Sequence, residues 1–303
     1  MTSPLYIQQG PGPTWWLSPA IWLTAHGDPS TGPQVANPIV GKPYTVWVEI
    51  QNFYSAADTG RWNLFVCWGV PFTGTLPSVH IGQILNGGMT SAGPQGAPIT
   101  VTVPGGTLTS PGIVTLSAAT PWTPTLENGG HECLVAAVYD EQAIGGLPTS
   151  TLLDGDATCN QSYSVAQHNF TVLQIPGGMS HRALYPFEVC NAGDEEREFV
   201  VTAWQAPLKQ IERFLPGVRG GRTVMEKPGK VERLGIVASA KADAAELEKA
   251  QASLSRVKIP GRSCRPFTLG VSMQTGNALI HVTQSLAGRV VGGLSVLAMA
   301  EEK

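Results

Sequence analysis

The sequence is poor in charge, and the charge that it has is spread unevenly. Residues 1–180 contain two basic side chains and nine acidic ones, a net of 2 − 9 = −7. Residues 181–303 contain 17 basic and 13 acidic side chains, a net of +4, so that the whole chain carries −3. A soluble surface usually has about a quarter or more of charged residues, whereas this chain has 14%. We therefore expect the first 180 residues either to have faces that are covered in an assembly or to form a surface-displayed domain.

Two further absences concern membranes and export. No run of residues approaches the roughly 20 apolar positions of a membrane-spanning helix, so no membrane span is predicted. No Lys or Arg precedes Lys42, so the basic region of a signal peptide is missing from the N-terminus. We expect either export by another route, with assembly in the cytoplasm before release, or a chain that has already lost its leader.

Cysteine usage gives no recognisable framework. The count is odd and no CxxC pair occurs, which excludes a zinc ribbon and gives no sign of a regular set of disulfides. A single bridge between Cys67 and Cys133 stays open, and most of the cysteines are expected to be small buried hydrophobic residues. The five are Cys67, Cys133, Cys159, Cys190 and Cys264.

The stretch "GGHECLVAAVYDE" (129–141) brings three metal-ligating residue types together. Zinc helices use HExxH, but Val135 stands where the second His would be. On a strand, Glu132 points away from His131 and Cys133, so a metal would need further ligands such as His168. A structural His and a buried Cys are favoured, and no metal is predicted.

The other signals of chemistry are weaker still. GxSxG, Walker A and GxGxxG motifs are all missing, so no catalytic residue, no cofactor and no enzyme activity are predicted. "LLDGDATCN" (152–160) lacks most of a calcium loop and favours a solvated turn. "GVRGGR" (217–222) forms a basic loop with Arg219 and Arg222, suited to docking on an acidic surface. Nucleic acid is disfavoured as its partner because no aromatic stacking platform accompanies it.

What the sequence does contain is a series of short strands separated by turns. Glycine (35) and proline (24) are abundant, and about seven Val-, Thr- and aromatic-rich segments follow an extended arm at residues 1–17. This pattern predicts an antiparallel Ig-like β-sandwich over residues 18–176. The segments are 20–25, 42–52, 61–71, 97–106, 112–122, 131–141 and 166–175.

Two of these strands carry apolar residues on both faces. Along 131–139, His131 and Cys133 are expected to point inward with Val135, which leaves Leu134 and Val138 on the outer face. In an isolated sandwich, the outer faces of the sheets are normally exposed to water. We therefore expect the arm, the second half or another subunit to cover the outer face near Phe65, Leu134 and Val138.

The change of charge and the "PGGMS" segment (176–180) predict a boundary after residue 176. Residues 177–303 repeat the short-strand pattern, which predicts a second β-sandwich. Its Ala-, Glu-, Lys- and Leu-rich stretch predicts one helix over about 240–255. The fold class is thus all-β, with two tandem Ig-like sandwiches.

The first half resembles bacterial Ig-like domains of the cell-adhesion-related, CARDB-like type. The motifs that carry the resemblance are "SPAIWLTAHGDP", "NPIVGKPYTVWVEIQNFYS", "NLFVCWGVP", "HECLVAAVYD" and "AQHNFTVL", across residues 18–175. The resemblance implies a sandwich used for display, spacing or assembly, in bacterial surface proteins or in phage tail and injection machinery. It implies no catalytic residues. The second half resembles Ig-like domains only in general style.

Together these features predict a non-enzymatic structural protein, a subunit of a self-assembling extracellular or phage-like filament, tube, particle or appendage. Its main partner would be copies of itself, with the acidic first half against the basic second half. The alternative is an adhesion or carbohydrate-binding module that presents exposed tryptophans to surface glycans; other structural proteins are further candidate partners. The candidate interface residues are Trp15, Trp16, Trp47, Phe65, Leu134, Val138, Arg219 and Arg222.

Overall fold

The computed structural model describes residues 5–10, 12, 14–35, 38–69, 81–86, 88–90, 93–95, 99–118, 120–124, 133–140, 143, 163–177, 181–191, 193–210 and 227–300. Nearly all regular structure in these residues is β, arranged mainly in antiparallel sheets. The predicted all-β class is therefore confirmed.

Two sheets make up the first half. In one, the central strand β3 pairs with β1 and β2 along one side and with β9 along the other. In the second, β11, β10 and β4 follow in order, and β5 and β8 both pair with the far side of β4. A separate hairpin joins β6 and β7. The strands are β1 (Leu5–Tyr6), β2 (Ile21–Ala25), β3 (Tyr44–Asn52), β4 (Asp58–Gly69), β5 (Ile81–Asn86), β6 (Gly88–Thr90), β7 (Gly93–Gln95), β8 (Ile99–Val103), β9 (Gly112–Ser117), β10 (Cys133–Asp140) and β11 (Tyr163–His168).

Alternation of side chains builds the first core. Tyr44, Val46, Val48 and Ile50 of β3 are buried, while the residues between them are half-buried. They pack against apolar side chains of the other sheet, as period-2 patterning requires. Those of β4 and β10 are Trp62, Leu64, Val66, Leu134, Ala136 and Val138.

The predicted faces of β10 were wrong. Leu134 and Val138 point into the first core, and Cys133 points to the opposite face. Phe65 faces Ala137 across the pair of strands, so it also lies on that opposite face, not beside Leu134. The pattern misled because both faces are apolar and buried, so alternation alone could not tell inside from outside. His131 and Glu132 lie outside the described residues.

The second half also has two sheets. The larger runs β12-β19-β18-β14-β16, with β12 parallel to β19, and the smaller runs β13-β17-β15. Side chains from both sheets form the second core between them. The strands are β12 (Phe170–Ile175), β13 (Arg182–Asn191), β14 (Arg197–Ala206), β15 (Arg233–Val237), β16 (Ser253–Ile259), β17 (Ser263–Ser272), β18 (Asn277–Leu286) and β19 (Arg289–Ala300).

The predicted strand 166–175 is two strands in two different sheets. β11 pairs with β10 of the first half, whereas β12 pairs with β19 of the second half. The chain therefore changes sheets at Asn169, before the boundary predicted after residue 176. Sequence periodicity did not reveal the change because both strands carry similar alternating apolar residues.

The predicted helix over about 240–255 is much shorter. The helix α1 covers Ala244–Lys249 and begins with a capping box between Asp243 and Glu246. Leu247 packs over Gly270, where a β-carbon would collide with it. Residues from Ser253 onward form β16 instead, because pairing with β14 outweighs their helix propensity.

A disulfide joins Cys190 and Cys264, which face each other across β13 and β17. The sequence had given no sign of this bridge. The bridge left open between Cys67 and Cys133 is not formed, since Cys67 lies opposite Val135 and both thiols are free and buried. Cys159 lies outside the described residues.

We predict that reduction of the Cys190–Cys264 disulfide lowers the free energy of unfolding by about 2–4 kcal/mol, because it releases a long loop in the unfolded chain. Urea unfolding with and without reductant measures the change. The Cys190→Ala/Cys264→Ala double variant is the control, and its stability should not respond to reductant. An equal effect of reductant on both proteins would contradict the prediction.

Candidate functional site: the junction between the two halves

The described residues of the segment 1–17, for which an extended arm is predicted, pack against both halves of the chain. Leu5 and Ile7 are buried in the first core, and the Ile7 N–H donates to Ser164 Oγ at 3.0 Å. The chain then leaves this sandwich, so that Trp16 and Leu17 pack against the second half, and it returns at Ile21 in β2. A segment of the first half therefore covers an outer sheet face of the second.

The covered face belongs to the larger sheet of the second half. Alternate residues of β18, such as Ile280 and Val282, point into the second core. Leu279 and His281 point to the opposite face and are nevertheless fully buried. We call the apolar residues on this side the junction cluster. Its buried members are Trp16, Leu17, Val172, Ala206, Leu279 and Leu297, and Trp15, Phe170, Trp204, Leu208, Val290 and Met299 pack around them.

Asn169, the residue between β11 and β12, is hydrogen-bonded to both the N-terminal segment and β19. Its backbone N–H donates to the carbonyl of Trp16 at 2.9 Å, and its Nδ2 donates to the carbonyl of Gly293 at 3.0 Å. Its own carbonyl accepts from the N–H of Ser295 at 3.0 Å. The residue at which the chain changes sheets thus ties the N-terminal segment to β19.

Gly293 makes room for the Trp16 ring. A β-carbon at position 293 would collide with three carbons of that indole. Glycine inside a strand often marks such a close approach. The Gly-Gly pair at 292–293 is therefore the sequence signal for this contact.

A chain of polar groups runs under the tryptophan. Trp16 Nε1 donates to Ser295 Oγ at 3.0 Å, and Ser295 Oγ lies 2.7 Å from His281 Nδ1. His281 Nε2 lies 3.3 Å from Gln210 Oε1. An amide oxygen only accepts, so Nε2 carries the proton and Nδ1 accepts from the Ser295 hydroxyl. With a neutral imidazole, the ring nitrogens of His281, the Ser295 hydroxyl and the Trp16 N–H all have hydrogen-bond partners.

Burial also governs the protonation of this histidine. His281 lies between the rings of Trp16 and Trp204, with centroids 6.1 and 4.8 Å away. Desolvation lowers its pKa from the usual 6.5 to about 4. His168 in the first half is half-buried, and desolvation lowers its pKa, an effect partly offset by its hydrogen bond to the Ser18 carbonyl.

Four of the six candidate interface residues in the described part of the chain are buried. Trp16 is fully buried in the junction, and Phe65, Leu134 and Val138 are buried in the first half. Trp15 and Trp47 are half-buried, and the indole of Trp47 donates to Thr24 Oγ1 at 2.9 Å. Trp16 therefore offers no ring for stacking on a sugar. Arg219 and Arg222 lie outside the described residues.

The second half lies close to the buried second face of β10. Tyr185 of β13 belongs to the second core, and burial raises its pKa, with a smaller contribution from the nearby Cys133 thiol.

The buried thiols are poor nucleophiles and poor metal ligands. Burial raises the pKa of Cys67 to about 12, and it raises that of Cys133 as well, so both are protonated at neutral pH. In the described part of the chain, one group of metal-ligating atoms lies within 4.8 Å, that of Glu188, Cys190 and Cys264. The two sulfurs of this group are joined in the disulfide and offer no thiolate.

No helix among the described residues has the length and apolar character to cross a membrane. No family model and no curated protein matches the sequence. The CARDB-like resemblance of residues 18–175 therefore stays a prediction.

Several solved structures show weak likeness to the chain. Alpha-2-macroglobulin of E. coli is 11% identical over 93% of this chain and 16% of its own length, with a TM-score of 0.24. A serine-rich repeat protein of Streptococcus agalactiae is 8% identical over 91% of this chain and 90% of its own, at 0.22. A GH2 beta-galacturonidase of Eisenbergiella tayi is 13% identical over 90% and 40%, at 0.19. Likenesses at this level carry no argument about function.

We predict that Gly293→Ala lowers the free energy of unfolding by about 1–3 kcal/mol, because the added methyl group displaces the Trp16 ring. Urea unfolding followed by tryptophan fluorescence measures the loss.

The matched control for this prediction is the same substitution in a Trp16→Leu background. There the smaller side chain leaves room, so Gly293→Ala should cost much less, and the double-mutant cycle gives the coupling between the two positions. An equal cost in both backgrounds would show that the ring does not occupy this space.

We predict that stability falls as the pH drops from 6.5 to about 4. Over this range the unfolded chain takes up a proton at His281 and the folded chain does not. Protonation therefore stabilises the unfolded state relative to the folded state. The loss at pH 4 should be on the order of 2–3 kcal/mol from this residue, and above pH 6.5 this contribution is constant. Urea unfolding across the pH range tests the prediction, and His281→Gln should remove this part of the slope. An unchanged slope in the variant would contradict it.

Proposed function

We propose that this protein is a non-enzymatic structural subunit, whose two sandwiches act as one building block of a homomeric assembly. The observation that carries the proposal is the junction: Trp16, buried to 0% exposure, seats a segment of the first half on the second. Hydrogen bonds of Asn169, at the point where the chain passes from β11 to β12, link the same segment to β19. Two modules held in this way transmit position and load, which suits a spacer or a repeating subunit.

The unequal charge of the two halves supports contacts between copies. A first half with a net charge of −7 and a second half with +4 attract each other when subunits stack head to tail. Each subunit then offers one acidic and one basic face, so that the contact repeats from copy to copy.

The disulfide supports a place outside the reducing cytoplasm for the finished structure. Bridges such as Cys190–Cys264 persist in oxidising surroundings and are rare in cytosolic proteins. An extracellular appendage or a released particle fits this chemistry, and the bridge would close after the subunit leaves the cytoplasm.

We predict that the purified full-length chain self-associates at high concentration in low salt. Light scattering after size-exclusion chromatography should give a mass that rises with protein concentration and falls as salt screens the head-to-tail contact. A monomeric mass at every concentration in low salt would overturn the proposed function.

A further inference from the structure

The strand β9, "GIVTLS", is an open edge of the first half. Among the described residues it pairs with β3 on one side and with no strand on the other. It contains no charged residue and no proline, and the prolines Pro111 and Pro121 stand just outside it. An uncharged edge with free backbone groups is a template for a further strand.

Register identifies the backbone groups that face outward. The N–H of Ala118, just after β9, donates to the carbonyl of Val46 at 2.9 Å. In an antiparallel pair every second residue makes such bonds. The N–H and C=O groups of Ile113, Thr115 and Ser117 therefore point away from β3, toward the open side.

Three of the four edge strands of the second half, all except β12, are protected in ways that β9 is not. β13 carries Arg182 and Pro186, and β15 carries Arg233. β16 carries Lys258 and is bulged near Arg256, whose φ is 58°. Charges, prolines and bulges are the usual means of blocking an edge. β8, which pairs with β4 in the other sheet of the first half, also lacks charged residues.

Exposed apolar side chains lie in β9 and in segments next to or beyond its two ends. Ile113 is 48% exposed within β9 itself. Next to its start, the Gly106 N–H donates to the carbonyl of Tyr54; beyond its end, the Gly41 N–H donates to that of Pro124. Of the seven large hydrophobic side chains exposed in the described part of the chain, five lie in β9 or in these flanking segments: Ile39, Val40, Tyr54, Leu108 and Ile113.

We propose that β9 is the strand through which two copies of this chain join, by antiparallel pairing of β9 with β9 of a second copy about Thr115. The inference rests on the proposed structural function and names one contact of the assembly, separate from the salt-sensitive contact between acidic and basic halves. The first sheet would continue across the contact into the second copy.

A second copy fits this edge because the strand is complementary to itself. Pairing about Thr115 sets Thr115 against its symmetry mate and Ile113 against Ser117 of the other copy. All outward N–H and C=O groups then find partners, about six hydrogen bonds in total. Because a two-fold contact places the central residue opposite itself, a charge there would repel its mate, and β9 has none.

The test compares full-length variants by sedimentation equilibrium at physiological ionic strength, where the contact between acidic and basic halves is weakened while side chains that face each other directly still interact within the Debye length of about 8 Å. Thr115→Lys and Thr115→Glu should each weaken self-association roughly tenfold or more, because like charges meet at the two-fold axis. An equimolar mixture of the two should associate again, since the charges then attract. Thr115→Val should associate like the original protein.

Val200→Lys is the matched control. Val200 is 40% exposed on β14, which is paired on both sides by β18 and β16, so this variant should associate normally. If both lysine variants associate like the original protein, pairing through β9 is wrong while the proposed function stands. If the lysine and glutamate variants stay apart when mixed, pairing about Thr115 is wrong. If the original protein is monomeric in low salt and at physiological ionic strength, the proposed function fails as well.

Hydrogen exchange on the unmodified protein gives a second test that needs no variant. The amides of Ile113, Thr115 and Ser117 should exchange at least tenfold more slowly in the associated protein than in dilute solution, whereas those of Val114 and Leu116, already paired with β3, should not change. Equal exchange of the outward amides in both states would overturn the proposal. Protection that arises only on adding a strand from a different protein would also overturn it.

Discussion

The arrangement of the two halves depends on the burial of one side chain, the indole of Trp16. Its ring lies over Gly293, its Nε1 donates to Ser295, and its carbonyl accepts from Asn169. These contacts come from β19 and from the residue where the chain passes between sheets. A single segment thereby covers the outer face of one sandwich while both of its ends belong to the other. The neutral state of His281 is part of the same contact, because its proton position completes the polar chain beneath the ring.

Burial of central strands on both faces explains the poverty of charge in the sequence. β10 is buried at all eight positions, and in β18 the first eight residues are buried. A strand covered on both sides offers almost no solvent-facing position for a charged residue, and in these two buried stretches Asp140, at the end of β10, is the one carboxylate. Covering one half with parts of the other leaves fewer surface positions than two separate sandwiches would have. The apolar outer faces noted in the sequence are therefore partly internal to the chain, which leaves the β9 edge as the site for the contact that we propose between copies.

Much of the first half was predictable from alternation, and the candidate site was not. The stripe from Tyr44 to Ile50 was predicted to share one face and is buried in the core. In β10, by contrast, the predicted inward and outward faces were exchanged, because a pattern that is apolar on both faces holds no information about direction. The junction was missed since Trp16 and Gly293 are far apart in sequence and each has an ordinary local context. The helix was overestimated because local propensity ignores the pairing of β16 with β14.

By itself, the sequence determined the all-β class, the position of most strands, the excess of acid in one half and the lack of charge along β9. These properties follow from local composition and from the two-residue period of a strand, which neighbouring positions reveal. Tertiary structure alone decided that the sheets change at Asn169, that Cys190 bonds to Cys264 and that Trp16 seals the junction. Each of these is a contact between distant segments. The energy of such a contact comes from the fit between two surfaces. The local sequence of one segment does not show which distant segment will pack against it.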